Sequence, residues 1–278
     1  MKAKTLIVPQ DFTPVADTAL KHALVVAKTL NATIQLLHVV SKESQIPESF
    51  QKLEVIVQKN ADSGVTIIPN VKIGNIFTDI GTFAAEHMAD LIIMGTHGPH
   101  GWQHILGSNA LKVVTSSPVP FIIVQEKVKD TKQTGYDVIV VPMDLHKETK
   151  QKLTIVASLA KYFNSEVHVV TPDENDDYLR NQVISNITFS KKFLLERNVN
   201  VKTAIIPGSG FEKEVIKYAA GVGADLITIM NLSGSGLFTL LSHNYEQYVI
   251  TNDALIPTLI LNPIEMLSES ESGSIFSM

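Results

Sequence analysis

This sequence repeats itself at long range, and that repeat limits the fold more than any single motif does. Val8-Pro9-Gln10-Asp11 recurs as Val141-Pro142-Met143-Asp144, and His38-Val39-Val40 recurs as His168-Val169-Val170. Ala89-Asp90-Leu91-Ile92-Ile93-Met94 returns as the run from Ala224-Asp225 to Met230, and the stretch from Val119-Pro120 to Val124 returns from Ile256-Pro257 to Leu261. The matches keep their order, at offsets from 130 (His38 to His168) to 137 (Val119 to Ile256). A period of that length is a domain, so the chain reads as a duplicated domain and not as a solenoid of short units. Each copy must bury its own core, and 45% hydrophobic against 18% charged residues over 278 positions suffices for two.

Within the first copy, short apolar runs alternate with stretches of helical period. Thr5 to Val8, Thr33 to Val40, Val65 to Ile68, Ala89 to Met94 and Ser117 to Val124 read as strands. Residues 14–30, 47–62 and 76–88 read as helices, with Thr13-Pro14 as a start, Asn31 as a stop and Gly64 just beyond the second. The stripe of the third helix is Ile76, Ile80, Phe83, Ala84 and His87 or Met88. Such alternation predicts an α/β fold of two tandem domains, each a five-stranded parallel sheet with helices on both faces. The domains are placed at 1–127 and 136–263. Glu126 to Tyr136 reads as a polar linker, and 264–278, rich in Ser and Glu, as a loosely held tail.

One strand of the first copy runs into a glycine loop: Met94-Gly95-Thr96-His97-Gly98, then Gly101, then Gly107-Ser108-Asn109 at the start of a further helical pattern. Glycine lets a ligand approach the backbone with no Cβ in the way, and the free amides of a new helix attract anions. In an open parallel sheet, ligands bind beyond the carboxyl ends of the strands. Pro9 to Asp11, Val39 or Val40, and the glycine loop all lie at such ends. Asp11 is suited to ribose hydroxyls, the backbone of Val39 or Val40 to an adenine edge, and the loop amides with Ser108 to phosphates. Asp11 also suits a purely structural role as the carboxylate leading a helix.

These residues resemble the universal stress protein family. The signature of its nucleotide-binding members is Gly, two residues, Gly, nine residues, then Gly with Ser or Thr. Here Gly95, His97 inside the gap, Gly98, Gly107 and Ser108 match it, with Asp11 after strand one and Pro118 and Pro120 before the last strand. Only eight residues, Pro99 to Leu106, separate Gly98 from Gly107, one fewer than the family spacing. The resemblance implies an adenine nucleotide alpha hydrolase-like fold with strand order 3-2-1-4-5. It also implies that the two halves pair through their last strands as an intramolecular pseudo-dimer, which is compatible with a further homodimer. The site residues it implies are Pro9, Asp11, Val39, Met94, Gly95, His97, Gly98, Gly107, Ser108 and Asn109, and the cofactor ATP or another adenine nucleotide, with or without Mg2+.

The second copy departs from the signature. Read on from Met230, Asn231 stands for the first glycine, and His243-Asn244 or Asn244-Tyr245 for the closing Gly-Ser, although Asp144 survives. Nucleotide binding is therefore expected in the first domain, and weakly or not at all in the second. The expected function is a regulatory binding module in a stress response, acting on a protein partner. A slow ATPase or nucleotide-dependent enzyme and a nucleotide-free interaction scaffold are the alternatives. No catalytic residue is assigned, since neither a Walker loop nor a Gly-x-Ser-x-Gly elbow is present.

Other classes are disfavoured. A net charge of -5 argues against nucleic acid, and no apolar run approaches a membrane span. Without cysteine there are no disulfides or thiolate metal sites. His97, His100 and His104 are spaced irregularly and lack a completing ligand, so no metal site is expected. Trp102 and Phe238 are read as packing over the two loops, and His38 and His168 as structural histidines at equivalent strand positions. The N-terminus enters a strand at once, so a soluble cytoplasmic protein without a signal peptide is expected.

Overall fold

The structure is a computed structural model that describes residues 4–96, 114, 117–126, 135–143, 150–231, 245–246 and 248–263. The chain divides into two compact units, Met1–Gln133 and Thr134–Phe276. In the first, the elements are β1 (Lys4–Pro9), α1 (Pro14–Leu30), β2 (Ala32–Val40), α2 (Ile46–Lys59), β3 (Ile67–Ile73), α3 (Ile76–Glu86), β4 (Leu91–Thr96) and β5 (Phe121–Gln125). Its strands lie in the order β3-β2-β1-β4-β5, and every pairing is parallel. The second unit has β6 (Val138–Pro142), α4 (Lys152–Phe163), β7 (Glu166–Asp173), α5 (Asp177–Leu195), β8 (Asn200–Pro207), α6 (Phe211–Gly221), β9 (Leu226–Met230) and β10 (Thr258–Leu261). Its order is β8-β7-β6-β9-β10, again all parallel.

The central strand of each unit reads as a continuous apolar run because both of its faces are covered. Leu6, Ile7 and Val8 are fully buried, as are Ile139, Val140 and Val141. Helix α1 starts where Thr13 accepts a hydrogen bond from the Ala16 N–H and Pro14 sits at its first position. It stops where Asn31 turns left-handed at φ 50°. Asn164 closes α4 the same way at φ 54°.

The recurring Ala-Asp pair has a structural explanation. Asp90 accepts from the Thr5 N–H at 2.8 Å and pairs with the Lys4 ammonium at 3.0 Å, while its own N–H donates to the Thr5 carbonyl. Asp225 likewise accepts from the Asp137 and Val138 N–H groups and donates to the Val138 carbonyl. Each aspartate ties the entry of β1 or β6 to the entry of β4 or β9. From there the ladder is short: β1 and β4 pair only as Leu6↔Leu91 and Ile7↔Ile92, and β6 and β9 only as Ile139↔Leu226 and Val140↔Ile227. Beyond those pairs the two strands part.

Several sequence readings shift. The third strand runs to Ile73, through Pro69, Asn70 and Lys72, because an edge strand tolerates polar residues and proline. Helix α3 ends at Glu86 and Met88 turns left-handed at φ 48°, so Ile80, Phe83 and Ala84 are buried while Ile76, His87 and Met88 are exposed. The fifth strand begins at Phe121 and not at Ser117, whose hydroxyl turns the chain by accepting from the Val119 N–H. Tyr136, at the end of the polar linker, is buried edge-on against Phe163, and burial pushes its hydroxyl pKa up.

The largest correction concerns His38 and His168, which do not occupy equivalent positions. Pro9 is level with Leu37 and Pro142 with Val170, and the Gln10 and Met143 N–H groups donate to the Leu37 and Val170 carbonyls. The ladder therefore matches Leu37 to Val170, His38 to Thr171, Val39 to Pro172 and Val40 to Asp173. The recurring His-Val-Val is three residues out of register. His168 stands opposite Val140, inside the strand, as Gln35 stands opposite Ile7.

Burial of His22 on α1 pulls its pKa from 6.5 down to about 4. The unfolded chain binds the proton first as pH falls, so stability should drop between pH 6.5 and about 4, by on the order of 3 kcal/mol from this group. Urea unfolding across that range should show a shallower pH dependence for His22→Gln than for the wild type.

Candidate functional site

At the carboxyl end of β1 the chain makes a tight turn built on Gln10. Its side chain is buried; Oε1 accepts from the Phe12 N–H at 2.7 Å and Nε2 donates to Asp17 Oδ1 at 3.1 Å. The turn forces Phe12 to φ 66°, a left-handed conformation costing an aromatic residue roughly 1–3 kcal/mol. The Phe12 ring packs on His38 with centroids 4.4 Å apart, and the Lys52 ammonium lies 5.5 Å from it. His38 Nδ1 is 2.6 Å from the Gln10 carbonyl, an oxygen that only accepts, so Nδ1 carries the proton.

Asp11 is exposed and its two oxygens differ. Oδ1 accepts from the Thr13 N–H at 3.0 Å and from the Thr13 hydroxyl at 2.5 Å, which primes Thr13 to cap α1. Oδ2 has no hydrogen-bond partner among the described residues, so the structural role of Asp11 leaves one oxygen for something else.

Val39 is set apart from Val40 by strand alternation. In a parallel ladder, successive residues turn their N–H and C=O to opposite neighbours. The Leu37 carbonyl is taken by Gln10 N–H on the β1 side, and the Val40 carbonyl by Gly74 N–H on the β3 side. Val39 therefore points its N–H and C=O toward β1, two residues past the last β1–β2 pair, where that strand has already turned away.

Met94, Gly95 and Thr96 form the opposite wall. A Cβ at Gly95 would lie 2.5 Å from the Val15 carbonyl oxygen and 2.4 Å from Val15 Cγ1. This glycine is thus demanded by the close approach of α1 to β4. Thr96 is 1% exposed, and its hydroxyl has no hydrogen-bond partner among the described residues. The cleft between these walls is lined by Pro9, Asp11, Leu37, Val39, Met94 and Thr96, with Gly95 and His38 beside them and Ile76 and Ile80 of α3 as an apolar side.

Of the residues singled out in the sequence, the structure brings Pro9, Asp11, Val39, Met94 and Gly95 to this one cleft. His97, Gly98, Gly107, Ser108 and Asn109 lie outside the described residues, as do His100, Trp102, His104, Asp144, Phe238, His243 and Asn244. Thr13, His38, Ile80 and Thr96 are additions. Thr96 sits inside the glycine motif, and its position between Gly95 and Gly98 was the available signal.

At the corresponding place in the second unit the described residues differ. Ladder register puts Met143 at Gln10, Thr171 at His38, Pro172 at Val39, and Met230 and Asn231 at Gly95 and Thr96. Gly95 thus corresponds to Met230, and Asn231 corresponds to Thr96 instead. Met143, Thr171 and Met230 are buried, and the buried Lys152 ammonium donates to the Pro142 carbonyl. Asn231 Nδ2 donates to Asn262 Oδ1 at 2.6 Å. Pro172 has no N–H to offer. His168, three residues earlier, is held between Tyr218 at 2.9 Å and Glu166 at 2.8 Å. Hydrogen bonds from Lys202 and then His168 hold the Glu166 carboxyl below its ordinary pKa. No group of side chains suited to a metal occurs among the described residues, and no described helix is long and apolar enough to cross a membrane.

Residues 2–125 match the universal stress protein family. A universal stress protein of Methanocaldococcus jannaschii is 28% identical over 144 residues, covering 46% of this chain and 85% of its own. Universal stress protein G of Escherichia coli O157:H7 is 26% identical over 141 residues, covering 44% of this chain and 99% of its own. The crystal structure of a universal stress protein from Archaeoglobus fulgidus superposes with a TM-score of 0.73 at 16% identity, covering 93% of this chain and 96% of that one. That likeness extends the shared fold over both units.

Gly95→Ala should cost about 1–3 kcal/mol, because its methyl group meets the Val15 carbonyl as well as Val15 Cγ1, and the backbone cannot swing aside. Thermal unfolding of the variant without any ligand checks this; an unchanged midpoint would refute the steric account.

Proposed function

We propose, from the premise that residues 2–125 form a universal stress protein domain, that the cleft of the first unit binds an adenine nucleotide and that the second unit does not. The observation that carries this reading is the Val39 backbone pair, which faces the gap beyond β1 with no hydrogen-bond partner among the described residues. An adenine edge presents an acceptor beside an amino donor, and the Val39 N–H and C=O offer the complement. The residues fit such a group along their length. Val39 would take the base, Asp11 Oδ2 the ribose hydroxyls, and Leu37, Ile76 and Ile80 the apolar faces. The glycine loop through Gly98, Gly107 and Ser108, with His97 and Asn109, would take the phosphates, with Mg2+ accompanying ATP.

Pro172 supports the asymmetry. It stands at the Val39 position and removes the one donor that an adenine edge requires, independently of any change in the glycine loop. The role that follows is a regulatory module of the cytoplasmic stress response, in which nucleotide occupancy biases the conformation offered to a protein partner.

Val39→Pro is the direct test. Pro172 shows that the ladder accepts proline at this register, since the lost N–H faces away from the paired neighbour. Calorimetric titration with AMP and ATP should show affinity reduced at least about tenfold, the worth of one hydrogen bond to a buried ligand edge. Asp11→Ala should weaken ATP and adenosine alike. Unchanged affinity in Val39→Pro would overturn the base assignment. Sustained phosphate release from ATP by the wild type would replace the regulatory reading with an enzymatic one.

A further inference from the structure

We propose that the outer edge of β8 docks a second copy of this chain, whose own β8 pairs with it antiparallel, centred on Thr203. An outermost strand has a neighbour on one side only, so alternate residues aim their N–H and C=O away from the sheet. In the first unit, the Thr66 carbonyl and the Gly74 N–H bond to β2, so Ile67, Pro69, Val71 and Ile73 face outward. In the second, the Glu166 N–H and the Val170 carbonyl bond toward β6. Val167, Val169 and Thr171 therefore serve β8, and Val201, Thr203, Ile205 and Pro207 face outward. The two edges differ at their middle. Leu37 corresponds to Val170, and these stand opposite Asn70 and Ala204, so Thr203 occupies the place of Pro69. Pro69 breaks the row of donors on β3, a common device against edge pairing. Thr203 supplies the donor. The backbone groups of Val201, Thr203 and Ile205 have no hydrogen-bond partner among the described residues.

Side chains make this edge complementary to itself. Lys202 pairs with Glu166 at 2.8 Å, Glu166 accepts from His168, and His168 meets Tyr218 of α6. Lys202 and Ala204 thus lie on the α6 face of the sheet, and Val201, Thr203 and Ile205 on the α5 face. There Ile205 is 55% exposed. Ile184 and Leu195 of α5 are exposed too, and they stand about three turns apart on one flank of the helix. Phe189 marks the other flank, beneath the Lys150 ammonium just ahead of α4. The flank of Ile184 and Leu195 is the one beside the open edge. An antiparallel copy sets Val201 against Ile205, Thr203 against Thr203 and Ile205 against Val201, each pair exchanging N–H and C=O. All are β-branched residues, which suit such a ladder. Between them Lys202 falls opposite Ala204, so like charges do not meet. The two-fold axis puts α5 of both copies on one face, where Ile184 and Leu195 of each line the seam and enlarge a short ladder with apolar area. Pro207 ends the pairing.

The test is Thr203→Pro, which gives β8 the residue that β3 carries at this register and removes no bond to β7. Ile205→Lys is the second variant; it leaves the backbone donors in place and sets a charge in the apolar seam. Sedimentation equilibrium of the full chain across the micromolar range should show a reversible dimer. Thr203→Pro should weaken it about tenfold or more, since each copy loses a donor at the centre of the ladder. Ile205→Lys should weaken it comparably, and both should keep the far-ultraviolet circular dichroism of the wild type. Should Thr203→Pro fail to fold, Ile205→Lys decides. A wild type that stays monomeric across that range overturns the inference. A dimer left at wild-type affinity by either folded variant also overturns it, because the copies then meet elsewhere.

Discussion

Everything at the cleft depends on how β1 is held against β4. At the entry of the two strands, Asp90 binds the Thr5 N–H and the Lys4 ammonium together. Two ladder pairs later the strands separate. A sheet whose order reverses at its central strand must open somewhere, because the connections on either side leave in opposite directions. The aspartate clasp fastens the amino end, and the opening falls at the carboxyl end. There the chain has just turned through Gln10 and Phe12, and the ends of β2 and β4 are left facing each other across the gap. The second unit repeats the clasp with Asp225 and the same early separation, so this geometry belongs to the duplicated fold and not to either copy alone.

What differs between the copies is what fills the opening. In the first, among the described residues, one Asp11 carboxylate oxygen, the Val39 backbone pair and the Thr96 hydroxyl have no partner. In the second, Met143 and Met230 are buried at the matching ladder positions, the buried Lys152 ammonium donates to the Pro142 carbonyl, and Asn231 is bonded to Asn262. The buried Thr171 hydroxyl of the second unit also has no partner among the described residues, and the structure offers no account of it.

The fold was largely legible in the sequence because its signals are local. Thr13-Pro14 starts α1 and Asn31 stops it. Apolar runs mark the strands covered on both faces, and the recurring Ala-Asp-Leu-Ile announces the clasp. Signals that depend on partners distant in sequence were not legible. His38 and His168 share a tripeptide, yet ladder register sets them three residues apart, and only hydrogen bonding across strands defines register. Gly95 reads as room for a ligand until the Val15 carbonyl is seen beside it. Pro9, Asp11, Val39 and Met94 could be nominated from their places at strand ends. Thr96 could be nominated only from its place between Gly95 and Gly98, because the lack of a partner for its hydroxyl is a property of its surroundings.

The alternation that frees Val39 also separates two kinds of selection. Along β2 and β7, groups facing the outer neighbour hold the sheet together, while groups past the end of the central strand contribute nothing to it. A proline at position 172 silences one of the latter without touching any of the former. After a duplication, such a change is invisible to folding, so selection for a stable fold does not purge it. A parallel sheet of this kind can therefore shed a binding site by drift in a single step, while keeping the architecture that once displayed it.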